Sequence, residues 1–134
     1  MVHVGVNGRA SQANLERQAF NDGYEFRDVL GCIPDGNVCV PGCENVLKSG
    51  LDMDRVCENV KASGCGVGTS VSDDPGRFLC DFIYYNSLCI DRKRSAFIHV
   101  PTAEHYSALQ MAEMLKVAVS AMLRQVNESD NKQM

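Results

Sequence analysis

Short runs of β-branched and apolar residues alternate with longer amphipathic stretches along most of this chain. Turn-forming residues bound the apolar runs, which predict three strands at residues 2–6, 67–71 and 95–100. Apolar residues at helical spacing predict three helices, at about residues 53–63, 76–88 and 104–123. A polar, weakly periodic segment and a segment rich in Gly, Pro and Cys predict loop and irregular structure at residues 11–30 and 31–42.

Two of the predicted helices have recognisable start signals. Asp52 precedes the first helix as a candidate N-cap, and Gly64 follows it as a candidate terminator. Asp74 and Pro75 are the candidate N-cap and first helical residue of the second helix. These signals predict where both helices begin.

The order of the elements, strand then helix three times over, implies a three-layer α/β/α sandwich with a mostly parallel sheet. A length of 134 residues and an apolar share of 45% fit a single globular domain. We predict that this domain covers residues 1–125 and that the polar tail at residues 126–134 is disordered.

Charge and targeting signals argue against several classes of protein. The net charge is −4, and apart from a short cluster at residues 92–94 the basic residues are scattered, so nucleic acid is not an expected partner. There is no run of 18 or more apolar residues, and the N-terminus lacks the charged start and apolar core of a secretory signal. We therefore expect a cytosolic protein with no membrane partner.

The seven cysteines cannot all pair within one chain, and they indicate free thiols in a reducing compartment. Cys32, Cys39 and Cys43 cluster with C-x6-C-x3-C spacing. This spacing contains no Cys-x-x-Cys pair, and no histidine is nearby. A loop with incidental cysteines is therefore favoured over a zinc site.

Three polar residues fall near the carboxyl ends of predicted strands, where open α/β sheets place their reactive groups. Glu16 follows the first strand, Cys80 lies in the first turns of the second helix, and His99 is near the end of the third strand. A helix N-terminus and a nearby imidazole would lower the pKa of the thiol, and a carboxylate would fix the histidine tautomer. A buried structural cysteine and a core histidine are the alternative, and patterning alone leaves both interpretations open.

Four segments around these residues carry a more specific signal. They are residues 3–8 (His-Val-Gly-Val-Asn-Gly), 15–21 (Leu-Glu-Arg-Gln-Ala-Phe-Asn), 72–81 (Ser-Asp-Asp-Pro-Gly-Arg-Phe-Leu-Cys-Asp) and 97–101 (Phe-Ile-His-Val-Pro). In this order, and with Tyr-Tyr-Asn-Ser-Leu at residues 84–88, they resemble the pyroglutamyl-peptidase I family, the pyrrolidone-carboxyl peptidases. The family's nucleophile segment is close to Ser-x-x-Ala-Gly-x-Tyr/Phe-x-Cys-Asn/Asp. The resemblance extends over nearly the whole chain.

The resemblance implies a cysteine peptidase that removes N-terminal pyroglutamate from peptides. It implies that Cys80 is the nucleophile, that His99 is the general base and then acid, and that Glu16 orients the histidine. Phe78 and Leu79 match positions that help line the pyroglutamyl pocket. The resemblance implies no metal and no organic cofactor.

The sequence departs from the family in two places. Pro75 stands where the family usually has alanine, a change that the start of a helix tolerates. Full members begin with a strand and a Gly-Phe-Gly-Pro-Phe-like loop, which has no counterpart in this sequence. We therefore expect an N-terminally truncated fold that can self-associate through an exposed sheet edge. An inactive homologue that acts as an interaction protein is the alternative to an active peptidase.

Overall fold

The computed structural model describes residues 1–132. Within this range the strands are β1 (Val2–Val6), β2 (Ala13–Glu16), β3 (Gln18–Phe20), β4 (Val46–Lys48), β5 (Thr69–Ser72) and β6 (Ala96–Val100). The α-helices of the same range are α1 (Met53–Ala62), α2 (Leu79–Ile90) and α3 (Ala108–Lys132). Single 3₁₀ turns lie at Asp35–Asn37 and Arg92–Arg94.

Four strands form the central sheet in the order β1-β6-β2-β5. The β1–β6 and β2–β5 pairs are parallel, and the β6–β2 pair between them is antiparallel. β3 and β4 form a separate antiparallel pair. The structure therefore has the α/β architecture and the mostly parallel sheet that the sequence predicts.

The sheet separates two apolar clusters, because side chains alternate between the faces of a strand. On one face, Leu15 and Ile98 pack with the buried side of α1 and α3. On the other face, Phe97 packs with Tyr84 and Leu88 of α2. His99 lies two residues beyond Phe97, so its side chain is on the α2 face of the sheet.

Two of the predicted elements match the structure closely. The first predicted strand is β1, with the predicted bounds. The first predicted helix is α1, whose N-cap Asp52 accepts a hydrogen bond from the Arg55 N–H at 3.1 Å. Gly64 follows the helix with a φ of +70°, a conformation that favours glycine. Both boundary signals of α1 are thus confirmed.

The prediction of irregular structure at residues 11–30 is wrong, because β2 and β3 lie there. Ala13 and Leu15 point to the core, whereas Asn14 and Glu16 point to the opposite face. Half of this four-residue strand is polar, so its hydrophobic signal is weak.

The second predicted strand is present as β5, displaced by about two residues, within the usual error of such boundaries.

The second predicted helix begins later than predicted. Asp74 does not cap it, because its carboxylate accepts a hydrogen bond from the Gly76 N–H at 3.0 Å within a tight turn. Gly76 has a φ of +87°, which an α-helix cannot contain. The helix α2 therefore starts at Leu79, and Cys80 is its second residue.

The third predicted helix starts at Ala108 because a capping box precedes it. The Ser107 hydroxyl accepts a hydrogen bond from the Gln110 N–H, and the Gln110 side chain accepts one from the Ser107 N–H. The prediction of disorder from residue 126 is wrong as far as Lys132, since Glu128 pairs with Arg55 at 3.1 Å and holds this end of α3.

The last two residues of the predicted disordered tail lie outside the described range. That residues 1–125 form one domain stays a prediction. Although α3 has 25 residues, no helix within residues 1–132 is long and apolar enough to cross a membrane.

Candidate active site

Glu16 and His99 form a buried pair on the α2 face of the sheet. In the antiparallel β2–β6 pairing, His99 lies opposite Asn14 and Glu16 lies opposite Phe97, which places these side chains on one face. Glu16 Oε1 and His99 Nδ1 are 3.1 Å apart, and the two residues are only 2% and 5% exposed. A carboxylate can only accept, so Nδ1 carries the proton of this hydrogen bond and Nε2 is left as an acceptor.

Aromatic side chains hold this pair in place. The ring of Phe97 lies 4.7 Å from the ring of His99, measured between centroids. The Tyr84 hydroxyl donates a 2.8 Å hydrogen bond to the backbone oxygen of Glu16. The second carboxylate oxygen of Glu16 is buried and has no hydrogen-bond partner among residues 1–132.

Cys80 approaches the sheet from the first turn of α2. Its Sγ lies so close to β1 that a Cβ atom at Gly5 would be 3.0 Å from it. Gly5 is the register partner of His99 in the parallel β1–β6 pair. Adjacent strands are about 4.8 Å apart, so the sulfur lies over the strand next to that of His99. No hydrogen bond joins Cys80 to His99 within the described part of the chain.

The environment of Cys80 favours the neutral thiol. Burial raises the pKa of the Cys80 thiol, and the nearby carboxylates of Glu16 and Asp81 raise it further. The expectation that the helix start and the histidine lower this pKa is wrong for this arrangement. The N-terminus of α2 favours a thiolate, but burial and two carboxylates act against it.

A buried ion pair fixes the beginning of α2. Asp81 is fully buried, and its carboxylate accepts hydrogen bonds from the Phe20 N–H at 2.8 Å and from Arg77 Nη1 at 2.7 Å. The Arg77 guanidinium lies over the Phe20 ring, 3.6 Å from its centroid. Burial raises the pKa of Asp81 to about 6, and the hydrogen bonds and the charge of Arg77 oppose that rise.

The Arg77–Asp81 pair was not predicted from the sequence. Opposite charges four residues apart at a helix start were the available signal. Because Asp81 follows Cys80 directly, its hydrogen bond with the Phe20 N–H joins the segment that carries the thiol to β3.

Phe78 and Leu79, which the family resemblance assigns to the substrate pocket, lie just before Cys80 at the start of α2. They are 58% and 77% exposed. The Phe78 ring stacks on the ring of Phe26 with centroids 4.8 Å apart. Phe26 lies in the segment predicted to be irregular. The only sequence feature that could have indicated its role is that it is an aromatic residue in a loop. The stacked rings of Phe26 and Phe78 are both exposed, and the exposed Leu79 lies between Phe78 and Cys80 in the sequence.

No three metal-ligating side chains converge on a common point within residues 1–132. All seven cysteines are free thiols. Of the cysteines that cluster in the sequence, Cys39 accepts a 2.9 Å hydrogen bond from the Asn86 amide. Cys39 thus contacts α2, whereas Cys32 and Cys43 are exposed.

Comparison with known proteins identifies related sequences. The family model described as "Putative pyroglutamyl peptidase PgaPase_1" matches residues 2–104. Human "Pyroglutamyl-peptidase 1" is 39% identical over 133 residues, which cover 98% of this chain and 64% of that protein. Human "Pyroglutamyl-peptidase 1-like protein" is 37% identical over 129 residues, covering 96% of this chain and 65% of that protein. The chain thus spans about two thirds of the length of these relatives.

Solved structures with the same fold include enzymes from two microorganisms. The pyroglutamyl peptidase I of Bacillus amyloliquefaciens superposes with a TM-score of 0.76 at 26% identity, covering 92% of this chain and 66% of that one. A mutant pyrrolidone carboxyl peptidase from Pyrococcus furiosus superposes with a TM-score of 0.78 at 23% identity, covering 93% and 69%. Because the identity to the Pyrococcus furiosus protein is only 23%, this similarity concerns the fold alone.

Proposed function

The chain belongs to the pyroglutamyl peptidase family, and on this basis we propose that it is a cysteine peptidase that removes N-terminal pyroglutamate from peptides. The observation that supports this proposal most is the buried Glu16–His99 hydrogen bond of 3.1 Å. It orients the imidazole on the face of the sheet that Cys80 also approaches. A thiol, an oriented imidazole and a carboxylate are the groups that this hydrolysis needs.

In the proposed first step, His99 Nε2 takes the proton of the Cys80 thiol as the sulfur attacks the carbonyl carbon of the pyroglutamyl residue. A raised thiol pKa fits this order, since the proton leaves during the attack rather than before it. The tetrahedral intermediate collapses, the peptide C–N bond breaks, and His99 gives its proton to the leaving amine. The product is a thioester on Cys80.

In the proposed second step, His99 takes a proton from water as the water oxygen attacks the thioester carbon. The C–S bond then breaks, pyroglutamic acid leaves, and the sulfur recovers a proton from the imidazolium. The Glu16 carboxylate stabilises that imidazolium in both steps, and it keeps the ring in the tautomer with a free Nε2.

The start of α2 supplies donors for the oxyanion of both steps. The N-cap residue is Phe78, whose side chain cannot accept a hydrogen bond, so α2 has no side-chain cap. The first-turn N–H groups, including that of Cys80, therefore have no side-chain cap, and we assign them as donors to the oxyanion. We assign Phe78 and Leu79 to the apolar wall that contacts the pyroglutamyl ring.

A second candidate function is a non-enzymatic interaction protein, and the edge of the sheet favours it. β1 pairs only with β6 in the described sheet, and Val4 and Val6 are 50% and 65% exposed. Unpaired edge strands with apolar side chains add further strands. Self-association through β1 belongs to this candidate.

Free thiols suit the cytosol, the compartment that we propose for either function.

Release of a fluorophore from a pyroglutamyl amide by the purified full chain separates the two candidates. We expect turnover that is lost in Cys80→Ala and kept in Cys32→Ala, a matched removal of an exposed free thiol. Turnover that survives Cys80→Ala would contradict the assignment of the nucleophile. No turnover in the unaltered chain, together with dimers in size-exclusion chromatography, would favour the interaction protein.

A further inference from the structure

Gly5 occupies the point where the nucleophile segment meets the sheet. A Cβ atom at this position would lie 3.0 Å from Cys80 Sγ and 2.9 Å from Cζ of Phe97. We propose that Gly5 is a positioning residue that allows the Cys80 sulfur to lie against β1, beside the strand that carries His99. This inference rests on the proposed peptidase function.

The backbone conformation of Gly5 does not explain why this position has no side chain. Its φ is not in the left-handed region that favours glycine, unlike that of Gly76. A glycine inside a strand contributes no packing and is usually unfavourable there. Glycine is therefore needed at this position because the Cys80 sulfur and the Phe97 ring occupy the volume that a Cβ atom would take.

Of these two neighbours, the sulfur has more freedom to move. The Phe97 ring is buried and contacts the rings of Tyr84 and His99 at centroid distances of 5.8 Å and 4.7 Å. Cys80 is half-buried and lies at the open start of α2. A methyl group at Gly5 would therefore displace the sulfur outward from β1.

Displacement of the sulfur has two measurable consequences. A shift of about 1 Å in a reacting group can reduce turnover about a hundredfold, because the reacting atoms lose their alignment. Outward movement also relieves the burial that raises the pKa of the thiol. The charged groups that raise this pKa further are Glu16 on β2 and Asp81 on α2, while His3 on β1 and His99 on β6 lie on the same face of the sheet. The substitution changes none of these groups.

Gly5→Ala tests this inference, and Gly8→Ala is the matched control, since a Cβ at Gly8 would have no neighbour within 4 Å. We expect kcat for the pyroglutamyl amide to fall at least about tenfold in Gly5→Ala, with KM within about twofold. Iodoacetamide labelling of Cys80, located by mass spectrometry, should reach its half-maximal rate at lower pH in Gly5→Ala. A Gly5→Ala protein that matches Gly8→Ala in both measurements would overturn the inference.

A second measurement keeps the test decisive if the chain has no turnover. Gly5→Ala should lower Tm by about 5 °C, and at least about half of that loss should disappear in a Cys80→Ala background, because the displaced sulfur is gone. An equal loss of Tm in both backgrounds would show that Gly5 does not act through the sulfur. An absence of turnover in the unaltered chain would refute the peptidase proposal, while the labelling and Tm measurements still decide the role of Gly5.

Discussion

Asp81→Asn should remove a pH dependence of stability that the protein carries in the mildly acidic range. The Asp81 carboxyl is fully buried, and burial raises its pKa from 3.8 to about 6 despite the opposing charge of Arg77. A difference of about two pKa units corresponds to about 3 kcal/mol between the two protonation states. This free energy is the effect that the substitution eliminates.

The sign of the effect is opposite to that of an ordinary paired carboxylate. Between pH 3.8 and about 6, the folded protein binds more protons at Asp81 than the unfolded protein does. The free energy of unfolding therefore decreases as the pH rises through this window. About 2 kcal/mol of the effect falls between pH 4 and pH 7, and little changes above that.

Urea denaturation of the wild type and Asp81→Asn at several values between pH 4 and pH 7 measures this effect. Other titrating groups cancel in the difference between the two free energies of unfolding, and a constant offset from the lost ion pair does not matter. The variant should gain about 2 kcal/mol relative to the wild type as the pH rises. Asp54→Asn is the control, since this exposed ion-pair partner of Arg17 should change by less than about 1 kcal/mol. A flat or decreasing difference for Asp81→Asn would refute the reasoning.

Two further substitutions test the site and the fold. Glu16→Gln should keep the fold but lower kcat about a hundredfold with little change in KM, because a neutral amide does not stabilise the imidazolium of His99. Stopped turnover assays measure both constants, and an unchanged kcat would contradict the orienting role of Glu16. Ser107→Ala should lower the free energy of unfolding by about 1 kcal/mol through loss of the α3 capping box, and denaturation should show almost no loss for Ser120→Ala on the exposed face of the same helix. Equal effects of the two serine substitutions would show that the box is not what stabilises the helix.

The sequence predicted the elements whose signals are local. β1 is a β-branched run followed by Asn-Gly, and α1 has Asp52 as its cap and an apolar face, so both were predicted with nearly correct bounds. The pairing of Glu16 with His99 was predicted through resemblance rather than through patterning. Each residue taken alone reads equally well as part of a core.

Features that depend on tertiary contacts could not be predicted. β2 is half polar because Asn14 and Glu16 face the site rather than the core, so its short pattern resembles a loop. The pKa of Cys80 depends on which carboxylates the fold brings near it, and sequence spacing does not contain that information. The space at Gly5 is likewise set by Phe97 and Cys80, which are distant in the chain.

The central claim, that Cys80 is the nucleophile of a pyroglutamyl peptidase, is tested most directly by trapping the thioester. The chain is mixed with a pyroglutamyl amide, quenched in acid within the first turnover, digested and mapped by mass spectrometry. We expect a pyroglutamyl adduct on the peptide that contains Cys80, absent from Cys80→Ala and strongly reduced in His99→Ala. Two results would contradict the claim. One is an adduct on another cysteine, and the other is hydrolysis that forms no adduct and persists in Cys80→Ala.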